Sequence, residues 1–547
     1  MKKIKLMAVP PNLRLRLSPC LLLLIITLNG CGGESAETAT TPSTTPEVTY
    51  PDYAQVRLLA GAATANNASD SGHGFSSPIA TLTQAELTRH LSGDAHFESS
   101  FTTAPNNAHP ELDGLGPVFN NQNCNACHQR DGRPATLAVP AGEQRLLLGA
   151  NAGIFLRISL DDGHCDLPLA ANNYCQNTPV DGFGTQLFHR GVLKARDDWQ
   201  IQPFIGQANV FLSYDYHTLT YPDGDTVTLK KPVFAIEAPY DVSDENQLNS
   251  ALLQSNVRYS PRNGMPIFGL GLLELIAEAD ILALVDEDDA DHDGISGRAN
   301  WVFDAVKEQA GVQPPVSLGR FGWKASTPSV RVQSLAALRG DMGITNPLFP
   351  DESIANTAMH DGYLARTGFV DTGVDELGQT EASASFSDDV VFYAETLAVP
   401  ARRDITNHTV LNGALLFQQV NCTGCHNAKF TTATGDVLLG GRPAPEALKG
   451  QTIYPFTDML LHDMGEGLAD HRRDFMATGN EWKTRPLWGI GLTKTVNPTA
   501  GFLHDGRANT IEEAILWHGG EAQSSKSAFM ALTQTERAAL IAFVMSL

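Results

Sequence analysis

Apolar positions along this 547-residue chain change period several times, and each change marks an element. From Cys20 to Leu28 the run CLLLLIITL is continuous, but it is shorter than the roughly 20 residues a membrane span needs. From 209 to 229, NVFLSYDYHTLTY alternates polar with apolar or aromatic side chains, PDGD interrupts, and TVTL resumes the period of two, which predicts a β-hairpin. GLGLLELIAEADILALVD (269 to 286) and ALTQTERAALIAFVMSL (531 to 547) carry the helical period and predict helices. Residues 33 to 51, GESAETATTPSTTPEVTYP, hold almost no large apolar group and read as a tether. No later stretch is apolar enough to cross a bilayer.

Composition narrows the picture. The length suggests two to four domains, and 42% hydrophobic residues are ample for their cores. Sixty-one acidic against 38 basic residues give −23, which excludes a nucleic-acid partner because phosphate binding needs clustered cations. Lys2, Lys3, Lys5, Arg14 and Arg16, without a single acid, precede and flank the short apolar run, the make-up of a secretory signal over residues 1–30. The ending L-N-G-C resembles a bacterial lipobox, in which Cys31 is acylated and becomes the mature N-terminus. Asn29 is unusual there, and a plain cleaved signal is the alternative. Gly32 rather than Asp after Cys31 points a lipid anchor to the outer membrane. Losing five cations and no acid takes the remainder from −23 to −28, a field suited to steering a basic donor.

Cysteine spacing carries the chemistry. Cys124-Asn-Ala-Cys127-His128 and Cys422-Thr-Gly-Cys425-His426 are both C-x-x-C-H, the pattern of covalent c-type haem attachment. Two thiols on one turn can bond the macrocycle, and the next histidine falls under the iron. At this composition about 0.003 such motifs are expected by chance. Zinc would need four ligands in one small module, and a redox dithiol would not need the histidine twice. The reading is two covalently bound haem c, hence an extracytoplasmic, periplasm-facing protein. Cys165 and Cys175 bracket a short polar loop, where a disulfide suits an oxidising compartment; two free thiols are the alternative. Asp289, Asp291 and Asp293 with Gly294 resemble the start of a Ca²⁺ loop (289–300), although Asn300 stands where an EF-hand has Glu. A solvated acidic turn is the other reading.

Several strings in order, GPVFNNQNCNACH, YSPRNGMPIFGLGLLE, DADHDGISGRAN, GRFGWKAS, GDMGITN, DMLLHDMGEGLAD and FLHDGRANTIEEAILWHGGEA, resemble the bacterial di-haem oxidoreductase family, whose members are described as peroxidases or thiol oxidoreductases. The resemblance covers roughly residues 110 to 547. More distantly the chain is similar to dihaem cytochrome c peroxidases, in which a Trp between the haems is followed by a distal Gln and then a distal Glu. That likeness implies catalytic roles for Trp323 and Gln333, which keep the first interval. The second interval lands on Gly343, with Asp341 the nearest acid. It also implies that His518 stands where those enzymes place the distal Met of the electron-transfer haem, giving His426/His518 ligation, with Met464 or Met459 as rivals. No exposed C-x-x-C remains to support thiol oxidation once haem is attached.

The expected architecture is mainly α with a β-rich insertion, in two cytochrome c-like haem domains. The tether (31–51) leads to an N-terminal haem domain (52–395) holding the insertion (about 150–270), and a C-terminal cytochrome c domain (396–547) follows. The expected activity is peroxide reduction, with a small redox protein or cytochrome as donor and electrons passing from the C-terminal to the N-terminal haem. A non-catalytic dihaem electron carrier, or oxidation of a protein or polymer by high-valent haem, are the alternatives.

Overall fold

The computed structural model describes residues 49–65, 71–104, 106–149, 152–161, 175–191, 206–237, 251–354 and 379–547. The signal segment, Cys31, nearly all of the tether and Cys165 lie outside the described residues. The helices that build the site are α1 (Gln84–Glu98), α2 (Val330–Met342), α3 (Ala384–Thr396), α4 (His408–Gln419), α5 (Ile511–Trp517) and α6 (Gln534–Ser546). The strands are β1 (Val118–Phe119), β2 (Ile154–Leu160), β3 (Gln186–Leu187), β4 (Arg190–Gly191), β5 (Asn209–Thr220), β6 (Thr226–Glu237) and β7 (Val257–Asn263).

Two helix pairs are built alike. Both α1 and α6 begin at a capping box, Thr83 with Glu86 and Thr533 with Glu536, which satisfies two backbone donors at each start. α1 crosses α3 at Gly93, and α4 crosses α6 at Gly413. A Cβ on Gly93 would lie 2.2 Å from Asp389 O and 2.8 Å from Tyr393 Cβ; one on Gly413 would lie 2.0 Å from Ala539 O and 2.8 Å from Phe543 Cβ. Only glycine permits that approach. One turn further along, Phe97 meets Tyr393 (centroids 5.4 Å apart) and Phe417 meets Phe543 (5.2 Å). The same two phenylalanines reach the motif histidines: Phe97–His128 and Phe417–His426 are both 6.2 Å apart, at 51° and 52°. One scaffold is thus used twice, once around each C-x-x-C-H.

Close approach at the crossing makes a sharp prediction. Gly413→Ala gains about 1 kcal/mol of helix propensity, yet the added methyl collides with a backbone carbonyl that cannot move aside. A net destabilisation of about 1–3 kcal/mol is expected in denaturant titration, and a neutral or stabilising result would contradict the crossing geometry.

Sheet is more abundant than the mainly helical expectation, and the fold is mixed helix and sheet. The hairpin is where the alternation placed it: β5 pairs β6 along its whole length, and Tyr221 N donates to Asp225 O across the Pro222-Asp-Gly turn. A second sheet, order β3-β2-β7, aligns Gln186, Arg157 and Ser260 in one row across the strands. Short strand pairs along the loops add the rest, since short helices joined by extended segments must pair their backbone somewhere. The helix expected over 269–286 is broken into Leu270–Glu274 and Glu278–Leu282. Ile276 bridges to Thr432 instead, and Glu274 accepts from Val330 N and Gly440 N, so tertiary partners override the period.

Residues Tyr50–Leu547 form one compact unit with a continuous apolar core from Tyr53 to Leu547. Tyr53 packs on Phe456 (5.4 Å) and Phe543 (5.9 Å), and Arg402 Nη1 donates to its carbonyl at 2.8 Å. The first described segment therefore completes the module around Cys422–His426. Among the described residues no helix is long and apolar enough to cross a membrane.

Candidate functional site

Both motif histidines are held by the same device. His128 Nδ1 donates to Met265 O (2.6 Å), and His426 Nδ1 donates to Phe456 O (2.9 Å). A carbonyl can only accept, so each Nε2 is left as the lone-pair nitrogen. Burial lowers the pKa of both rings, His426 to about 4, so each is a neutral potential ligand. Cys124, Cys127, Cys422 and Cys425 are unbridged, although the two pairs sit one short turn from their histidines. Free thiols beside a histidine with an available Nε2 are the donor set covalent haem requires, and those of the second motif line a mostly apolar cavity.

That cavity lies at the second motif. It is lined by Cys422, Cys425, His426, Met464, Trp323 and His518, among others. His518 caps the end of α5 and donates through Nδ1 to Ala514 O (2.7 Å), so it too presents Nε2. Burial dominates the low pKa of His426, and a smaller contribution comes from the nearby His518. Met464 shares the lining; Met459 is buried elsewhere. His462 also lines the cavity, but both its nitrogens are taken, by Asp458 Oδ2 and Glu521 Oε2 at 2.7 Å each. Burial opposes its protonation, but bonds to Asp458, Cys425 and Glu521 win and raise its pKa well above the ordinary value. A doubly bonded imidazolium is no iron ligand, although Cys425, Asp458 and His462 stand within 4.8 Å of one another.

Trp323 joins the two sites. Its Nε1 donates to Asn263 O (2.9 Å) at the end of β7, and Met265, two residues on, holds His128. The indole itself lines the cavity of His426. Around it His504 makes an edge contact at 6.4 Å and in turn stacks on Trp482 at 3.8 Å and 15°.

At the first motif the β insertion supplies groups that spacing alone did not reveal. β1 pairs with β4, which brings Asn120 against His189: Asn120 Nδ2 donates to His189 Nδ1 at 2.8 Å. Gln186 Nε2 lies 2.8 Å from Asn120 Oδ1 and 2.7 Å from Asp341 Oδ1. Asp341 O accepts from Asn120 N (2.8 Å) and Asn121 N (3.2 Å), and Asn121 Nδ2 donates to Cys127 Sγ (3.0 Å). The charge of Asp341 reaches Cys124 and Cys127, adding to the burial that pushes each thiol up to about 12. Burial raises the pKa of Asp341, and Arg157 and the Gln186 bond oppose it. His189 is pushed down to about 4, chiefly by burial, and stays neutral.

The structure thus brings together Asp341, Cys124, Cys127 and His128, with Trp323 linking them to Cys422, Cys425, His426 and His518. Gln333 is not part of this network. Its Oε1 accepts from Thr327 Oγ1 (2.9 Å), and the amide beside Asp341 is that of Gln186. The acidic loop also differs from expectation. Asp286, Asp289 and Asp291 cluster within 4.8 Å, whereas Asp293 Oδ1 accepts from Ile295 N (2.8 Å) within its own turn. Asn300 is buried and bonds to Lys324 O, Asp474 O and Met476 N, so it is no loop ligand. Cys175 is disulfide-bonded; its expected partner Cys165 lies outside the described residues.

The model of the family described as "Di-haem oxidoreductase, putative peroxidase" matches residues 53–547, and the chain belongs to this family of dihaem oxidoreductases. No curated protein matches the chain. Among solved structures, hydrazine synthase of Kuenenia stuttgartiensis pressurised with xenon is similar at 16% identity and a TM-score of 0.20, covering 37% of this chain. The match spans 65% of that chain.

Proposed function

We propose that the protein is a periplasm-facing dihaem c-type oxidoreductase that reduces peroxide, with electrons entering at the C-terminal site and leaving at the N-terminal one. Cys124, Cys127 and His128 would hold one haem, and Cys422, Cys425, His426 and His518 the other. Bound there, haem supplies a redox-active iron at each end of the path. The observation that carries the reading is the connection through Trp323, which bonds Asn263 beside the carrier of His128 and lines the cavity of His426 and His518.

The two ends differ in what surrounds them. At the C-terminal site His518 faces the cavity as a second neutral imidazole, which suits electron storage without an open position. At the N-terminal site Asp341, held by Gln186, can take a proton from one peroxide oxygen and deliver it to the other, while Gln186 Oε1 and Asn121 Oδ1, without a hydrogen-bond partner among the described residues, can accept from the bound oxidant. The −28 left after signal removal supports a basic redox protein or small cytochrome as donor. The lipobox-like Cys31 supports attachment to the outer membrane, and the Asp286–Asp291 cluster a bound Ca²⁺.

Hydrogen peroxide added to the reduced protein tests the proposal. A high-spin N-terminal haem and rapid oxidation of both haems are expected. A wholly low-spin protein inert to peroxide would make it an electron carrier instead.

A further inference from the structure

Two arginines enter the cavity beside Trp323 with no carboxylate paired to either among the described residues. Arg133, shortly after His128, is 7% exposed; one Nη donates to Leu503 O, and its Nε has no hydrogen-bond partner among the described residues. Arg485, just after the strand Glu481–Lys483, makes no ion pair among the described residues. Both guanidinium carbons stand 5.2 Å from the Trp323 ring, and both residues line the cavity of Cys422, Cys425, His426 and His518. Asp505, whose charge reaches Arg133, is already engaged by Arg507 through contacts of 2.7–3.0 Å. Burial pushes Arg133 down to about 9, with the charge of Arg485 adding to it, and burial pushes Arg485 down to about 10. Both are still cations at neutral pH. Two buried like charges without a counter-ion are costly, and an anion with several acceptor oxygens would relieve both.

Haem c has such groups. Its vinyl substituents are consumed by the two cysteines, and its remaining ionisable substituents are two propionate carboxylates. We infer that Arg133 and Arg485 form a two-armed carboxylate site that receives the propionates of the haem held at Cys422 and Cys425. This rests on the haem occupancy proposed above. Arginine suits the task because its planar fork matches a carboxylate and keeps its charge when buried. Since Arg133 belongs to the segment of the first motif, the first module then helps to set the charge environment of the second haem.

The test is a redox titration of the haem-loaded protein, resolved for each haem, with Arg133→Met, Arg485→Met and Arg485→Lys. A buried cation beside the carboxylates favours the reduced, less positive iron, so each Met variant lowers the midpoint of the C-terminal haem. The expected change is tenfold or more in its ferrous-to-ferric ratio at fixed potential, about 59 mV for one electron. Arg485→Lys restores most of it. Resonance Raman of the unaltered protein should show propionate modes in a strongly hydrogen-bonded position that weaken in Arg485→Lys. A C-terminal midpoint unchanged in both Met variants, with two haem c per chain by pyridine haemochrome, overturns the inference. So does a shift confined to the N-terminal haem, or a wild-type midpoint that moves with added inorganic phosphate, which would mark an exchangeable anion. Absence of covalent haem overturns the underlying reading instead, so the two failures are distinguishable.

Discussion

Asp341→Asn should lower peroxide turnover by about 10²–10⁴-fold, the range for loss of a positioned proton-transfer group, with both haems still attached. The side chain is isosteric and keeps an oxygen for the Gln186 amide, so the fold and the bond at 2.7 Å can persist. What disappears is the ability to accept and return a proton. The pH profile adds a second signature. Burial, opposed by Arg157 and Gln186, raises the Asp341 pKa above the ordinary carboxylate value of 3.8. The proton-accepting form is therefore lost at a higher pH than for an exposed Asp as the solution is acidified. Wild-type turnover should fall along that acid limb, and the Asn variant should lack it. Stopped-flow peroxide consumption measures both, and an Asn variant with full activity or the same limb would remove Asp341 from the mechanism.

His518→Ala should convert the C-terminal haem from low-spin to high-spin, the largest spectroscopic change expected from any single substitution here. The ring is buried on the same cavity as His426, and its Nδ1–H is committed to Ala514 O, so only Nε2 faces inward. Removing it leaves a vacant ligand position and should collapse electron delivery to the N-terminal site. Met464 shares the lining and is the competing ligand. An EPR low-spin signal that survives in His518→Ala and vanishes in Met464→Ala would reassign the ligand, and would also mean a higher-potential haem, because thioether ligation raises the potential.

The parts of this site that could be read from the chain are those whose chemistry is local. C-x-x-C-H places three groups within one turn, and the helical period of 531–547 reports the face that α6 buries, so both were legible. The hairpin announced itself through alternation and a Pro-Asp-Gly turn. Gln186 and His189 carry no such signal. They join Asp341 and Asn120 only because β3 lies against β2 and β4 against β1, pairings between segments far apart in sequence. Gln333 keeps the interval from Trp323, but an interval does not fix which face of α2 a residue occupies; its Oε1 accepts from Thr327 Oγ1. One signal was present and missed. Gly93 and Phe97, like Gly413 and Phe417, repeat a Gly-x-x-x-Phe step before each motif, and the repeat marks the duplicated helix crossing.

The packing of Tyr53 against Phe456 and Phe543 governs the order in which the molecule can assemble. The module around His426 draws its core from the first described segment and from α6, so its closure waits for residues 534–546. Long sequence separation makes such contacts late and slow to form. The first module has its helix pair, α1 and α3, complete before residue 400 is reached. The module through which electrons are proposed to enter is therefore the one whose core needs both ends of the described chain.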